Sequence, residues 1–312
     1  MLTALYLHIP FCNQICVYCD FHKEMATLSK KTKYVDALCL EIIQHKDELK
    51  NIKTIYIGGG TPSSLPLDLL DKLFTTLHSV IQIDKDIEFS IETNPNDINK
   101  EFVALIHRYG VNRVSIGVQT FSQKHLSFLG RTHTEDDIYL AVQTLRNNGI
   151  TNINVDMMFS LVNQTENELM TDIEKLLKLE VTHVSYYSLI FEEKTKLYQL
   201  YEQNKVSMNS EDLEAVMYNR VIDSLTEAGY EHYEISNFSR PGYQSKHNIV
   251  YWETKDYLGL GSGSHSLVDG VRMFHPLNIT KYISQVALEE DNLTYYEVEP
   301  LRESLLMGMR LM

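Results

Sequence analysis

The chain has 312 residues, of which 44% are hydrophobic and 22% charged, and its formal net charge is −14. This length suits one large core, or a barrel-sized domain with an appendage, in an ordinary globular protein. So acidic a chain repels polyphosphate at long range. Its densest basic cluster, Lys30, Lys31 and Lys33, lies near Glu24 and Asp36. Nucleic acid is therefore not an expected partner.

The sequence contains no signal for membrane insertion or export. No stretch approaches the roughly 20 apolar residues that a membrane-spanning helix requires. The first ten residues run into a strand pattern, without a basic segment followed by an apolar one. We therefore expect a cytoplasmic location, where thiols stay reduced and clustered cysteines bind metal more often than they form disulfides.

Strand patterns and helix patterns alternate along the chain as far as residue 189. The strand patterns are Ala4–Ile9, Thr54–Ile57, Ile87–Glu92, Arg113–Val118, Asn152–Met157 and His183–Leu189. The helix patterns are about Thr32–Leu49, Leu67–Val80, Lys100–Tyr109, Asp136–Asn148 and Glu166–Leu179. This α/β alternation predicts parallel strands joined by right-handed crossovers. Pattern alone allows either an incomplete barrel of six units or a doubly wound sheet.

The alternation ends near residue 205. The later segments are a predicted helix from about Ser210 to Ala228, the run His247-Asn-Ile-Val-Tyr-Trp252, and a Gly/Ser-rich loop, Gly259–Gly263, before His265. Glu299–Met312 has the pattern of an opening helix without a C-cap signal, so we expect a further domain to follow in a longer protein. We predict a barrel unit over 1–205, an extension over 206–290 and the start of a helical domain over 291–312.

Residues suited to chemistry follow the predicted strands. These are Cys12 after the first strand, Gly58–Pro62 after the second, Glu92–Asn94 at the end of the third, Gln119 after the fourth and Asp156 at the end of the fifth. Both types of α/β fold place ligands at the carboxyl ends of their strands. One edge of the sheet is thus predicted to carry the functional site.

Three of the four cysteines, Cys12, Cys16 and Cys19, have the spacing Cys-x3-Cys-x2-Cys. Thiolates are the usual ligands of iron–sulfur clusters. Three thiolates from one loop would bind three irons of a [4Fe–4S] cluster and leave the fourth iron open. Zinc is the competing interpretation, with His8 or His22 as the fourth ligand, but the paired Cys-x2-Cys spacing of structural zinc sites does not recur.

The fourth cysteine, Cys39, has a different pattern. It lies among Val35, Leu38, Ile42 and Ile43, at the spacing of one helix face. Cysteine often fills such a place as a small apolar side chain, so we interpret Cys39 as a core residue.

With Tyr18 before its last cysteine, the motif resembles that of the radical S-adenosylmethionine superfamily. The resemblance implies a partial (β/α)6 barrel with a C-terminal α+β extension, whose final domain is truncated in this chain. It implies a [4Fe–4S] cluster on Cys12, Cys16 and Cys19. It also implies that the amine and carboxylate of S-adenosylmethionine bind the open iron, and that one electron cleaves this cofactor to a 5′-deoxyadenosyl radical.

The resemblance extends to the residues that would bind S-adenosylmethionine. Alone, the glycine triplet of Gly58-Gly-Gly-Thr-Pro62 indicates a tight turn, and it is not a phosphate loop because no Gly-Lys-Ser/Thr follows. The cofactor residues implied are Tyr6, Gly59, Gly60, Thr61, Glu92, Gln119, Arg131 and Asp156. Carboxylates can accept from ribose hydroxyls, and an arginine can pair with a carboxylate.

Further matches cover essentially the whole chain and resemble the oxygen-independent coproporphyrinogen III oxidase group. They include Leu5-Tyr-Leu-His-Ile-Pro-Phe-Cys12, Gly117–Phe121, Tyr233-Glu-Ile-Ser-Asn-Phe238 and Tyr257–Gly261. Three features favour the heme-chaperone branch of this group over the oxidase. Phe21 stands where the oxidase has a fourth cysteine, only eleven residues precede Cys12, and His247-Asn-Ile-Val-Tyr-Trp252 matches the chaperone motif His-Asn-x-x-Tyr-Trp.

The resemblance therefore implies a protein that binds heme through His247 and transfers it to an acceptor haem protein, which could be membrane-associated. The cluster and S-adenosylmethionine would gate the transfer or stabilise a homodimer. Imidazole is a common axial heme ligand, and His265 is a second candidate. From the residues alone, His247 would be a loop residue bonded to backbone, with Tyr251 and Trp252 as core anchors.

Two other functions stay open. The first is radical oxidative decarboxylation of coproporphyrinogen III propionates, which Phe21 disfavours. The second is radical chemistry on another tetrapyrrole. The chain departs from the family pattern after the fifth strand, where Ser160-Leu-Val162 replaces the Gly-Leu-Pro of relatives. We expect this change to loosen a turn.

Overall fold

Six parallel strands, each followed by helix, form the first part of the computed structural model, which describes residues 2–290 and 293–312. The strands are β1 Ala4–Ile9, β2 Thr54–Gly59, β3 Glu88–Thr93, β4 Arg113–Gln119, β5 Asn152–Phe159 and β6 His183–Ser188. The helices are α1 Leu28–Gln44, α2 Leu67–Val80, α3 Lys100–Arg108, α4 Gln123–Leu129, α5 Glu135–Asn147 and α6 Glu166–Lys178.

The order of the strands decides between the two folds that the sequence allows. Strands β1 to β6 pair in chain order, each parallel to the next. A doubly wound sheet reverses its strand order at a switch point, and this sheet does not. The arrangement is the predicted partial barrel, whose strands all end at one edge.

The remaining elements extend the same sheet at both sides. They are α7 Lys196–Glu202, α8 Glu211–Glu227, β7 Glu231–Glu234, β8 Asn237–Ser239, α9 Lys246–Trp252, β9 Tyr257–Leu260, β10 His265–Val268, β11 Val271–Phe274, α10 Ile279–Leu288, β12 Thr294–Glu297 and α11 Pro300–Gly308. Strand β9 pairs in parallel with β1 and continues into β10, β11 and β12, whereas β8 and β7 add antiparallel to β6.

The predicted division of the chain stays a prediction. Residue 205 lies in the connection between α7 and α8. Residue 291, at which the third predicted segment begins, lies outside the described residues. Among the residues that the structure describes, no helix combines the length and the apolar character needed to cross a membrane.

Local sequence signals account for most element boundaries. Strand β1 and helix α2 have the predicted bounds. Helix α1 begins four residues earlier than predicted, because the side chain of Thr27 caps it by accepting from the amide of Lys30. Helix α4 was not predicted, since its seven residues are too few for a clear periodicity. Cys39 is only 5% exposed within the main core, as predicted.

Helix α9 is fixed beneath the barrel by a carboxylate from β3. The backbone amides of Lys246 and His247 donate to the two oxygens of Glu88, each at 3.0 Å. Anions favour the amino end of a helix, where amides lack partners within the helix. This contact places the segment with the His-Asn-x-x-Tyr-Trp motif against the amino ends of the strands.

Ser160 lies in the turn after β5, which we expected its replacement of glycine to loosen. This residue has φ +57°, in the left-handed region, which costs an L-residue roughly 1–2 kcal/mol. We expect Ser160→Gly to raise the free energy of unfolding by about 0.5–1 kcal/mol, because the greater unfolded-state entropy of glycine offsets part of that gain. Urea denaturation of both proteins measures the difference.

Asn163 provides the matched control, since it also has φ +57°. Asparagine tolerates the left-handed region better than serine does, so Asn163→Gly should change the stability less than Ser160→Gly. A loss of stability in Ser160→Gly would mean that the hydroxyl, which accepts from Asn209 at 3.3 Å, matters more than the backbone strain.

Candidate cluster and cofactor site

The three clustered cysteines lie on the loop between β1 and α1. The amide of Cys12 donates to the carbonyl of Glu24 at 3.0 Å, and the amide of Glu24 donates to Pro10 at 2.8 Å. These bonds close the loop at its base. Cys12 is 8% exposed, and Cys16 and Cys19 are partly exposed. Burial raises the pKa of the Cys12 and Cys19 thiols.

The loop faces a cavity of about 480 Å³ at the carboxyl edge of the sheet. Ten of the twelve predicted site residues line it: Cys12, Cys16, Cys19, Gly59, Gly60, Thr61, Glu92, Gln119, Arg131 and Asp156. Its volume is in the range of small-molecule and cofactor pockets. These residues, predicted from separate parts of the chain, therefore lie together around one cavity.

The donor set of the loop fits a cluster better than a single ion. Among residues 2–290 and 293–312, no three His, Cys, Asp or Glu side chains are grouped to hold one metal ion. In a [4Fe–4S] cluster each thiolate binds a different iron, so such a grouping is not required. Two cationic side chains lie beside the cysteines, where they can offset thiolate charge. Arg131 donates to the sulfur of Cys16 at 3.5 Å, and Lys23 donates to the carbonyl of Cys19.

The glycine segment lies against the cysteine loop. The amide of Gly60 donates to Ile9 at 2.9 Å and the amide of Thr61 donates to Phe11 at 2.8 Å. A Cβ atom on Gly60 would come within 2.8 Å of the Phe11 carbonyl oxygen. One on Gly59, at φ +113°, would come within 2.5 Å of the His8 ring. The glycines thus permit a close approach of two backbones beside the cavity.

Glu92, the second-last residue of β3, has a carboxylate that accepts two hydrogen bonds. Its oxygens accept from Tyr56 Oη at 2.8 Å and from the amide of Gly59 at 3.1 Å. Burial raises the pKa of Glu92 to about 7, and the bond from Tyr56 opposes the shift. The side chain is therefore close to half ionised near neutral pH.

Asp156 on β5 presents a second carboxylate to the same cavity. It accepts from Asn154 Nδ2 at 2.7 Å and from Ser115 Oγ at 2.9 Å. Burial raises the pKa of Asp156, while these bonds and the charge of Arg113 oppose that rise. Two carboxylates on neighbouring lumen positions can accept from two hydroxyls of one ligand.

Arg131 connects the sheet to the cysteine loop, and Gln119 lies at the end of β4 on the same cavity. One guanidinium nitrogen of Arg131 donates to Asn94 Oδ1 at 2.6 Å and to the carbonyl of Gly117. Gln119 has φ +71°, where β4 has an irregular register with β5. This distortion turns the end of β4 toward the cavity, a feature often found beside active sites.

Two predicted site residues do not line the cavity, namely Tyr6 and His247. The hydroxyl of Tyr6 bonds to His8 Nδ1 at 2.9 Å, and its ring stacks on Tyr56 at 6.2 Å. Tyr6 thus supports the side chains beneath Glu92.

His247 is fully buried on α9, in a helix rather than the expected loop. Its Nδ1 bonds to Thr54 Oγ1 at 2.8 Å and its Nε2 bonds to Tyr251 Oη at 2.7 Å. Burial lowers the pKa of His247 to about 3, so the ring is neutral. Its neighbour Asn248 is the motif residue that lines the cavity. The second candidate, His265, is exposed and stacks on Phe274 at 5.3 Å.

Several cavity residues were missed by the sequence analysis. They are polar or aromatic side chains on the inner face of the strands: Tyr56, Arg113, Asn154, Ser185 and Tyr187. The available signal was the period-two alternation of polar and apolar residues along β4, β5 and β6, which indicates a polar lumen.

Comparison with known proteins agrees with this geometry. Residues 6–176 match the family model of the radical SAM superfamily. The heme chaperone HemW of Lactococcus lactis is 37% identical over 99% of this chain and 81% of its own length. HemW of Bacillus subtilis is 37% identical over 99% of this chain and 83% of its own length. HemW of Escherichia coli is 34% identical, covering 85% and 70%, respectively.

A solved structure shares the fold. Coproporphyrinogen III oxidase (HemN) from Escherichia coli, described as a radical SAM enzyme, superposes with a TM-score of 0.86 over 99% of this chain and 76% of that chain. Its sequence is 23% identical, so this likeness concerns the fold alone. Taken with the cysteine motif and the near-full-length relatives, these findings show that the chain belongs to the radical SAM superfamily and, within it, to the HemW family.

Proposed function

We propose that this protein is a heme chaperone that binds heme and transfers it to haem proteins, and that holds a [4Fe–4S] cluster and S-adenosylmethionine. The observation that carries the proposal is 37% identity to heme chaperones along nearly the whole chain. A cytoplasmic location, a homodimer and a membrane-associated acceptor stay predictions.

The residues of the cavity have separate tasks in this proposal. Cys12, Cys16 and Cys19 would hold the cluster, and the guanidinium of Arg131 would offset part of the thiolate charge. When bound, the cluster and S-adenosylmethionine supply radical chemistry by one-electron cleavage of the sulfonium. Glu92 and Asp156 would accept hydrogen bonds from the ribose hydroxyls.

The oxidase remains the second candidate, and Phe21 is the observation that weighs against it. Its side chain is 73% exposed and lines the cavity beside the cysteine loop. A phenyl ring supplies no sulfur to a cluster or a radical. We therefore do not expect coproporphyrinogen decarboxylation, which an anaerobic assay for vinyl products would detect.

Heme contact through His247 needs a local rearrangement. A neutral imidazole is the form that binds iron, and burial keeps His247 neutral. However, Thr54 and Tyr251 occupy both of its ring nitrogens. We propose that heme displaces Tyr251, the partner on the same helix, so that Nε2 becomes available while Thr54 continues to orient the ring.

The cluster assignment predicts a sharp difference among the cysteines. Cys12→Ala, Cys16→Ala and Cys19→Ala should each lose most of the reconstituted iron, because each removes one of three thiolate ligands. Cys39→Ala is the matched control and should keep the iron content of the wild type, since Cys39 lies in the core. Iron and sulfide analysis with electron paramagnetic resonance of the reduced protein measures the result. Equal iron in all four variants would contradict the assignment.

The pKa of Glu92 predicts pH-dependent binding of S-adenosylmethionine. A carboxylate accepts from a ribose hydroxyl more strongly when ionised, and Glu92 has a pKa of about 7. The dissociation constant of the reconstituted protein should therefore rise as the pH falls from about 8 to about 6, by up to roughly tenfold. Equilibrium dialysis measures it.

Glu92→Gln separates this effect from the titration of the cofactor itself. Glutamine keeps the shape and an acceptor oxygen but does not titrate, so the variant should show a flatter profile. If wild type and Glu92→Gln have the same pH profile, the dependence arises elsewhere and Glu92 is not the titrating acceptor.

Heme binding tests the function directly. An anaerobic titration of the reconstituted wild type, read in the Soret band, should give saturable binding of one heme per chain. His247→Ala should weaken it by at least about tenfold, because the axial nitrogen is lost. His125→Ala is the control, since His125 is also buried, 2% exposed, but lies on α4, far from α9 in the chain.

Tyr251→Phe sharpens the test of rearrangement. It removes the hydroxyl that occupies His247 Nε2, so heme association should become faster if that nitrogen is the ligand. If His247→Ala binds heme as tightly as the wild type does, His247 is not a heme ligand. Non-saturating heme binding in the wild type would contradict the chaperone function and favour coproporphyrinogen decarboxylation instead.

A further inference from the structure

A continuous chain of hydrogen bonds crosses the inside of the barrel from helix α9 to Asp156. Its centre is His183, the first residue of β6, which is fully buried and does not line the cavity. His183 Nδ1 bonds to Asn154 Oδ1 at 2.6 Å, and Nε2 bonds to Tyr233 Oη at 2.7 Å. Tyr233 in turn accepts from the backbone amide of Ser245, the N-cap residue of α9, at 3.2 Å.

The chemistry of the partners fixes the direction of every bond. The amide oxygen of Asn154 can only accept, so His183 Nδ1 carries the hydrogen. Burial holds the pKa of His183 well below its usual range, so the ring is neutral and Nε2 accepts. Tyr233 therefore donates to His183. All hydrogens point the same way, from α9 toward β5.

The chain ends on both oxygens of the Asp156 carboxylate. Asn154 Nδ2 donates to Asp156 Oδ1 at 2.7 Å and to Ser115 Oγ at 2.7 Å, and Ser115 donates to Asp156 Oδ2 at 2.9 Å. This pattern requires the NH2 group of Asn154 to face Asp156. With the amide reversed, its carbonyl oxygen would face the carboxylate and repel it.

Two strong contacts determine that orientation of the amide: Asp156 accepts from its Nδ2 at 2.7 Å, and His183 donates to its Oδ1. Asn154 Oδ1 accepts from His183 at 2.6 Å and, more weakly, from Ser185 Oγ at 3.2 Å. Buried polar groups cost free energy unless they are paired, and apolar side chains could fill this layer of the lumen. The bonds of this chain run in one direction and end on Asp156, which indicates that its polar residues serve to orient that carboxylate.

We propose that Tyr233, His183 and Asn154 are positioning residues that orient the Asp156 carboxylate for S-adenosylmethionine and connect it to the first turn of α9. The inference rests on the proposed role of Asp156 as a cofactor acceptor. Because α9 also carries His247, the same chain links the two proposed ligand sites through Tyr233 and His183, which do not line the cavity.

The test compares two substitutions at His183 in the reconstituted protein. His183→Phe keeps a flat ring without a donor, so the Asn154 amide loses its stronger donor and is held less firmly. S-adenosylmethionine should therefore bind about tenfold more weakly. His183→Asn places an NH2 group close to the position of Nδ1 but loses the bond from Tyr233, so it should bind only about threefold more weakly than the wild type. Equilibrium dialysis with S-adenosylmethionine measures both. Equal affinities in the two variants would overturn the proposal.

Two tyrosine variants, Tyr233→Phe and Tyr230→Phe, test the same proposal if His183→Phe fails to fold. Tyr233→Phe removes the donor to His183 and should weaken S-adenosylmethionine binding about threefold. Tyr230→Phe is the matched control, because its buried hydroxyl donates to the Val181 carbonyl at 2.6 Å outside the chain. Tyr230→Phe loses this bond, and Tyr233→Phe loses the bonds of its hydroxyl to His183 and Ser245. If Tyr233→Phe binds as Tyr230→Phe does, the chain has no positioning role.

Asp156→Asn separates failure of this inference from failure of the proposed site. If Asp156→Asn leaves the affinity for S-adenosylmethionine unchanged, the carboxylate is not a cofactor acceptor and the site assignment falls with the inference. If Asp156→Asn weakens binding but the His183 and Tyr233 variants do not, only the inference is overturned.

The connection to α9 has its own readout. A heme titration first establishes that heme binds, and the affinity for S-adenosylmethionine is then measured with and without heme. Because coupling between sites is reciprocal, heme should change this affinity in the wild type. It should not do so in His183→Asn or His183→Phe, because both variants lack the Nε2 atom that accepts from Tyr233. The same change in either variant, or none in the wild type, would overturn the link.

Discussion

Two backbone hydrogen bonds hold the candidate site together. Gly60 and Thr61 donate to Ile9 and Phe11, so the end of β2 is attached to the beginning of the cysteine loop. The spacing that they require leaves no room for a Cβ atom at Gly60. Cys12 then lies 3.4 Å from the Thr61 hydroxyl, and the rest of the loop closes over the cavity from that point.

The interior of the barrel has two chemical layers, and the strands determine both. Parallel register brings the carboxyl ends of β1 to β5 to one edge, where the cysteines, the glycine segment and the two carboxylates meet. Below this edge, alternate residues of β4, β5 and β6 form a buried polar layer, and α9 closes its lower side. Asp156 is therefore held by Ser115 and Asn154 of the lower layer, whereas Glu92 is held by Tyr56 and the amide of Gly59. These bonds limit the motion of both carboxylates before any ligand arrives.

The sequence predicted this edge well because strand ends and cysteine spacing are local signals. Ten residues spread from Cys12 to Asp156 lie around one cavity because most of them end or follow strands that share one direction, while Arg131 reaches it from the segment after α4. The surroundings of Tyr6 and His247 could not be predicted in that way. His247 is paired with Thr54, 193 residues away, so its environment depends on how α9 docks. The polar layer was missed because partners such as Tyr233 and His183 lie 50 residues apart.

The position of β1 between an early strand and a late one determines when this part of the chain can fold during synthesis. This first strand lies between β2 and β9, and the cysteine loop that follows it is fastened by His22, whose Nε2 bonds to Ser262 Oγ at 3.1 Å. Chains fold from the amino end as they emerge from the ribosome. Here the earliest strand and the cysteine loop lack their last partners until residue 262 has emerged. We therefore expect the nascent chain to keep its three thiols accessible until residue 262 has emerged, and a stable cluster to be inserted only after that point.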